Sequence, residues 1–336
     1  MAMTPRKSPH LLGAVAGDET PVGESQAWRR VMQMVSSAAA TDSTVLLLGE
    51  SGTGKEVLAR LLHRRSARAA GPYVRVNCAA IPIDMWESEF FGHRKGSFTG
   101  AAGDREGRFR LAHQGTLFLD EVGATPPPAQ AKLLRVIQDG EFHRLGDEQP
   151  TRVDVRIVAA TNSDLQAEIR EGRFRADLYY RLNVIQIAIP PLRERPEDVP
   201  LLARHFASEI ATRIGQPVPE VTEAAVEALR AYPWPGNVRE LRSMIERTLI
   251  LNPGQGLDSI DLAGGAGAPP PAAAAATGTQ DLNLRDALNR REKELILEAQ
   301  RRSAGVRKEM ARLLGIDPRN LGYYLRKHGL AEPAQD

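Results

Sequence analysis

At 336 residues, 42% apolar and 26% charged, the chain is long enough for two or three domains with cores of their own. No run approaches the roughly 20 apolar residues of a membrane-spanning helix, and the opening MAMTPRKSPHLLGAVAGDET lacks the long apolar stretch of a secretory leader. The expectation is therefore a cytoplasmic protein with no membrane span; its one cysteine, Cys78, excludes an intramolecular disulfide and reads as a small buried residue.

The chain divides by pattern. Residues 1–20 contain Pro and Gly without amphipathic period and read as a short arm, with no room for a sensory domain ahead of residue 21. From 21 to 192, apolar runs at Val45–Leu48, Tyr73–Asn77, Thr116–Asp120 and Arg156–Ala160 alternate with helical spacing, which predicts an α/β fold with a mostly parallel, doubly wound sheet. Residues 193–251 lose the strand runs and read as a small helical subdomain. Residues 252–280, which include GGAGAPPPAAAAATGTQ, are a flexible linker by composition. Helical spacing resumes over 281–336, where Gly315, Asp317 and Pro318 supply a helix stop, cap and restart that suggest an all-α helix-turn-helix. This tail concentrates positive charge in Arg301, Arg302, Arg307, Lys308, Arg312, Arg319, Arg326 and Lys327, a pattern that admits a nucleic-acid partner.

The stretch Gly49-Glu50-Ser51-Gly52-Thr53-Gly54-Lys55 sits between a strand and a helix, the context of a phosphate-binding loop. Its glycines let backbone N–H groups converge on phosphate oxygens, the helix offers its positive end, and Lys55 reaches the outer phosphates, which points to ATP. Glu56 stands where the generic motif has a Ser or Thr on Mg²⁺, so the metal must lean on other ligands. The strand Thr116–Asp120 ends in two carboxylates that divide the work: Asp120 to hold Mg²⁺, Glu121 to polarise the attacking water. The strand Arg156–Ala160 ends at Thr161-Asn162, where Asn162 is placed to sense a γ-phosphate or to orient water. Arg175 and Arg181 are the arginines a neighbouring subunit's site would use against transition-state charge. Arg239, opening a helix of the small subdomain, is placed to reach back to the phosphates. Between these motifs lies Gly96-Ser97-Phe98-Thr99-Gly100-Ala101, small residues around one aromatic and one hydroxyl, with no acid, base or metal ligand: a segment suited to contact rather than to chemistry.

Together these residues are similar to the AAA+ activators of sigma-54 RNA polymerase, the bacterial enhancer-binding proteins. The likeness runs almost continuously over residues 21–250, on GESGTGKE, ESEFFGHRKGSFTGA, GTLFLDE, AQAKLLRVIQDGEFHRLG, RADLYYRL, PPLRER and PWPGNVREL, and returns in the tail. In that family Glu after the P-loop lysine is usual, and the loop motif is GAFTGA, so Ser97 is a departure. The resemblance implies that 96–101 contact sigma-54 through Phe98 and Thr99. It further implies that Asn77 holds Glu121 and swings with the γ-phosphate, moving the helices around 90–105 and a second loop near Ala124–Gln130. It implies a hexameric ring with Arg175 and Arg181 acting in trans. It also implies a Fis-type DNA-binding tail, with Arg319, Asn320 and Tyr323 at the major groove and Arg312, Arg326 and Lys327 near phosphates. With no receiver domain ahead of residue 21, the arrangement is similar to the phage-shock type of activator, which a separate negative regulator restrains. The expected function is ATP-driven remodelling of the sigma-54 holoenzyme from enhancer DNA; the alternatives are a DNA-binding regulator without remodelling activity, and an AAA+ motor for nucleic acids or proteins.

Overall fold

A computed structural model describes residues 21–98, 101 and 103–252 and, near the C-terminus, 296, 299, 300, 303, 306–314, 316 and 321–328, with the side chains of 307, 308, 323 and 326 left aside. The chain forms two compact units, divided at Pro269–Pro270.

The first unit opens with α1 (Gln26–Ala39), where the Ser25 hydroxyl accepts from the Trp28 N–H at 3.1 Å and Trp28, Val31, Val35 and Ala38 make the buried stripe of a helical period. There follow β1 (Val45–Leu48), α2 (Lys55–Arg64), β2 (Tyr73–Asn77), α3 (Ile83–Phe91), the antiparallel pair β3 (Gly92–His93) and β4 (Arg105–Glu106), α4 (Arg108–Leu111) and β5 (Gly115–Asp120). Next come α5 (Pro127–Asp139), the hairpin of β6 (Glu141–His143) and β7 (Pro150–Arg152), β8 (Val155–Thr161), α6 (Leu165–Arg170), α7 (Ala176–Leu182) and β9 (Ile185–Ala188).

Five strands form one parallel sheet in the order β2-β5-β8-β1-β9. The central strands are mostly apolar because helices cover both faces. Side chains alternate: Val45, Leu47, Phe118, Val158 and Ile187 pack against α1 and α2. Leu46, Leu117, Leu119, Ile157 and Ala159 pack against Trp86, Phe90, Phe109, Leu133 and Leu178 from α3, α4, α5 and α7. Strand β9, not expected from the sequence, closes the edge beside β1. Every strand runs the same way, so Leu48, Asn77, Asp120 and Thr161 all end on one rim, where an open α/β sheet binds its ligand.

Past β9 the chain turns at Leu192–Glu194 into α8 (Val199–Ile214), α9 (Glu223–Ala231) and α10 (Asn237–Leu251), a lid around Leu192, Val199, Leu202, Phe206, Leu229, Trp234, Leu241 and Ile245. The Thr222 hydroxyl caps α9, and the left-handed Gly215 ends α8.

The second unit shows α11 (Arg307–Leu314) and α12 (Leu321–Lys327), packed with residues 296 and 299 through Ile296, Ala299, Met310, Ala311, Leu321 and Leu325. The expected turn at Gly315, Asp317 and Pro318, like the arm 1–20 and the stretch 253–280, lies outside the described residues. No helix among the described residues is long and apolar enough to cross a membrane.

Candidate nucleotide site and contact loop

The P-loop joins β1 to α2 and turns through Gly52 at φ 80° and Gly54 at φ 104°, left-handed conformations that side chains resist. Lys55 is buried, its Nζ donating to the Gly49 carbonyl at 2.8 Å and the Glu50 carbonyl at 3.3 Å, and standing 3.5 Å from Glu121 Oε1. Thr53 braces the loop by donating from Oγ1 to the Glu50 carbonyl at 2.9 Å. The lysine and carboxylate expected from the sequence thus meet at the rim.

Asp120 and Glu121 separate because Glu121 takes a left-handed φ of 52°, redirecting the chain at the strand end. Glu121 Oε2 accepts from the Asn162 backbone N–H at 3.2 Å, tying β8 to β5 through the candidate base. Asn162 therefore acts here through its main chain. Asn77 Oδ1 accepts from Ala79 N at 3.0 Å and caps the short turn Cys78–Ala80, a bond that leaves its Nδ2, the donor a Glu121 carboxylate would need, uncommitted. Asn77 still pairs in register with Asp120 across the sheet.

Asp120 is half-buried, and burial, then the neighbouring Glu121, push its carboxyl above the ordinary aspartate range. Among the described residues its ion pair is a long one, 3.7 Å to Arg75. A carboxylate so weakly paired at the end of a P-loop sheet fits Mg²⁺, which characteristically takes one or two carboxylates and completes its shell with water and phosphate oxygens. Glu56 is not open to a ligand in the same way: Arg75 donates to its Oε1 at 2.6 Å and Arg60 at 3.1 Å.

The lid contributes more to the P-loop than Arg239 alone. Arg239 Nη1 donates to Ser51 Oγ at 2.8 Å and its backbone N–H to the Gly52 carbonyl at 3.3 Å. Arg193 clamps Glu50 with two bonds of 2.6 and 2.8 Å, and this clamp, then Asn237, hold the Glu50 carboxyl down to about 2. Buried Arg195 donates to the Thr53 carbonyl at 3.2 Å, lies over the Trp28 ring, and is pushed down to about 10 by burial. Fully buried Asp198 receives Glu24 N, Ser25 N and Ser25 Oγ at 2.6 to 2.8 Å, fastening the start of α1 to the lid. Sequence reasoning assigned no roles to Arg193, Arg195, Asp198 or Asn237; two arginines in the PPLRER run were the available signal.

Arg175 opens α7, with its guanidinium bonded to Asp177 at 3.0 and 2.7 Å and its backbone N–H to Gln130 Oε1 at 2.8 Å. Arg181 donates to the Ile137 carbonyl at 3.4 Å. Neither has a bond to its own P-loop among the described residues, and Arg175 is held as the Asp177 partner.

Of the contact segment, Gly96, Ser97, Phe98 and Ala101 are described; Thr99 and Gly100 lie outside. The turn is closed by Gly96 N to Ala101 O and Ala101 N to Phe98 O, both 3.0 Å, with Gly96 at φ 82°. Phe98 is 45% exposed and meets the edge of His93 at 4.9 Å, while buried His93 shares a 2.8 Å hydrogen bond with Ser88 on α3. The base of the loop is bonded to residues 144–147 of the β6–β7 connection: Arg94 N to Leu145 O and Leu145 N to Gly92 O at 3.0 Å, and Arg94 to Asp147 at 3.1 Å. The expected companion loop at Ala124–Gln130 is instead a short turn and the start of α5, where Pro127 fits the first helical turn; the companion is the β6–β7 connection.

In the second unit Arg312 is paired with Glu309 on the preceding turn of α11, at 2.5 to 3.1 Å. Lys327 is exposed on α12; Arg319, Asn320 and the side chains of Tyr323 and Arg326 lie outside the described residues.

A P-loop sheet, a helical lid bearing on it and a separate helical pair define a P-loop nucleotide-binding fold followed by an all-α unit. The description "Sigma-54 interaction domain" matches residues 21–188, "AAA+ ATPase lid domain" 193–277, and "Bacterial regulatory protein, Fis family" 287–328; the chain belongs to the sigma-54 interaction family. It is 48% identical over 306 residues to the Nif-specific regulatory protein of Azotobacter vinelandii, covering 91% of this chain and 58% of that one. It is 45% identical over 312 residues to the regulatory protein AtoC of Escherichia coli K12, covering 92% and 68%. The solved structure of NtrX from Brucella abortus in complex with ATP is 36% identical, with a TM-score of 0.72 over 94% of this chain and 70% of that one. The chain spans about three fifths of the length of the Nif-specific relative.

Proposed function

We propose that the chain hydrolyses ATP and uses the cycle to remodel sigma-54 RNA polymerase holoenzyme, activating transcription from upstream enhancer DNA. The observation that carries this reading is the pairing of Lys55 and Glu121 on the sheet rim with a half-exposed Phe98 on a loop that follows α3 from that same rim.

In the proposed reaction the P-loop amides and the positive end of α2 receive the phosphates, and Lys55 exchanges its carbonyl partners for the outer phosphate oxygens. Asp120 would hold Mg²⁺, which neutralises charge on the β- and γ-phosphates. Glu121, fixed by the Asn162 amide, orients the attacking water and accepts its proton. Arg175, Arg181 or both, from the next subunit of a ring, stabilise charge on the transferring phosphoryl group, an effect worth about 10³ to 10⁵ in rate. For Arg175 this requires release from Asp177.

Changes at the β2 and β5 ends reach α3 directly, since α3 begins six residues after Asn77 and ends at Phe91, where the loop base starts. Ser88 on α3 then acts on Phe98 through His93. Phe98 and Thr99 are the output that touches sigma-54, and the α11–α12 pair holds enhancer DNA. A regulator that only bound DNA would have no use for an intact rim and an exposed loop.

The test is Thr99→Ala. ATP turnover stays at the wild-type rate and open-complex formation at a sigma-54 promoter is lost, followed by permanganate footprinting. Open complexes formed at the wild-type level would refute the contact.

A further inference from the structure

Besides Arg195, a second fully buried polar side chain joins the lid to the P-loop. Asn237, the first residue of α10, holds a left-handed φ of 52° that an ordinary helix start does not require. Its Oδ1 accepts from Leu192 N at 2.8 Å, in the turn by which the chain leaves the sheet. Its Nδ2 donates to Glu50 Oε2 at 3.0 Å and to the Ser51 carbonyl at 3.1 Å. Both amide hydrogens and an oxygen lone pair are used, across three segments distant in sequence. The backbones alongside are at contact: a Cβ at Gly52 would stand 2.3 Å from the Gly236 carbonyl.

The geometry points to Asn237 as a positioning residue that sets P-loop shape by lid position, so that ATP affinity depends on its amide donating to Glu50. A loop that must wrap phosphates is held open or shut by whatever fixes Glu50 and Ser51, and here that is the lid, through a side chain with no rotational freedom left. Arg193 supplies charge to Glu50 from a half-exposed position, while Asn237 supplies direction from a buried one. The inference rests on the ATP-binding part of the proposed function and on nothing about sigma-54 or DNA.

The test is Asn237→Asp in the full chain, with ATP binding measured by equilibrium titration between pH 8 and 5.5. Aspartate has the same shape and keeps an acceptor for Leu192 N, but turns a carboxylate oxygen on the Glu50 carboxylate and the Ser51 carbonyl. At pH 8 the ATP Kd rises about tenfold or more, because two carboxylates at hydrogen-bond distance in a buried site repel. As pH falls the crowded new carboxylate takes a proton, donates again, and the Kd returns to within about threefold of the wild-type value measured at the same pH. Glu50→Gln combined with Asn237→Asp restores binding at pH 8 relative to Asn237→Asp alone, since the glutamine amide donates to the new carboxylate. A wild-type Kd for Asn237→Asp at pH 8 overturns the inference. So does a weakened Kd that neither recovers with acid nor improves with Glu50→Gln, the pattern of a merely structural asparagine. Failure of the wild-type chain to form open complexes at a sigma-54 promoter, with the Asn237 binding pattern intact, would reject the proposed function and leave the inference standing.

Discussion

Replacing Ser97 with alanine should tighten the contact loop rather than loosen it. Among the described residues, Ser97 Oγ is buried without a hydrogen-bond partner, whereas the family pattern it resembles has alanine there. Burying a hydroxyl unpaired costs about 1–3 kcal/mol, so deleting it while leaving the packed Cβ in place recovers about 1 kcal/mol for the docked loop. The gain stays local, because Ser97 packs on the 144–147 turn, where a Cβ added at Gly146 would fall 2.8 Å from its own. One kcal/mol is about a fivefold shift in the opening equilibrium. Native-state hydrogen exchange at the Gly96 and Ala101 amides, which bond across the turn, should therefore slow about fivefold in Ser97→Ala. Exchange that is unchanged or faster would mean that the hydroxyl has a partner in solution and that the loop is not under this penalty.

The converse change, Gly146→Ala, adds the clashing Cβ at a φ of 75° and should speed exchange of the same amides while the sheet amides keep their protection. Glu50 gives a pH signature: its folded carboxyl lies near 2, below its unfolded value, so it stabilises the fold above about pH 4.5, and that stability is lost as pH falls towards 2. Thermal unfolding should thus separate wild type from Glu50→Gln at pH 7 and bring them together near pH 2; a gap independent of pH would refute the clamp. Mixing Lys55→Ala subunits with Arg175→Ala subunits should restore part of the ATPase activity that each lacks alone. No restoration at any ratio would rule out Arg175 acting across an interface.

Much of the site was legible because its chemistry is local. A P-loop needs its glycines and lysine in consecutive positions, and a strand that ends in two acids shows itself by its apolar run, so Lys55, Asp120 and Glu121 could be read without knowing the fold. Strand β9 escaped because its exposed Gln186 and Ala188 break the continuous apolar run that marks β1, and the second loop expected at Ala124–Gln130 from the resemblance is a turn and a helix start because likeness along the chain does not say which segments share an edge. That Asn77 Oδ1 caps its own turn is a local bond that strand spacing does not reveal.

The sequence by itself determined the alternating α/β body, the position of the phosphate loop, the carboxylates at the end of β5 and the presence of a segment of small residues around Phe98. Tertiary structure alone decided that the β6–β7 connection braces this segment, and that Arg193, Arg195 and Asn237 hold the P-loop from the lid. The physical reason is distance along the chain: Asn237 and Glu50 are 187 residues apart, and their bond exists only because the parallel sheet and the Leu192 turn fold the lid back over the rim.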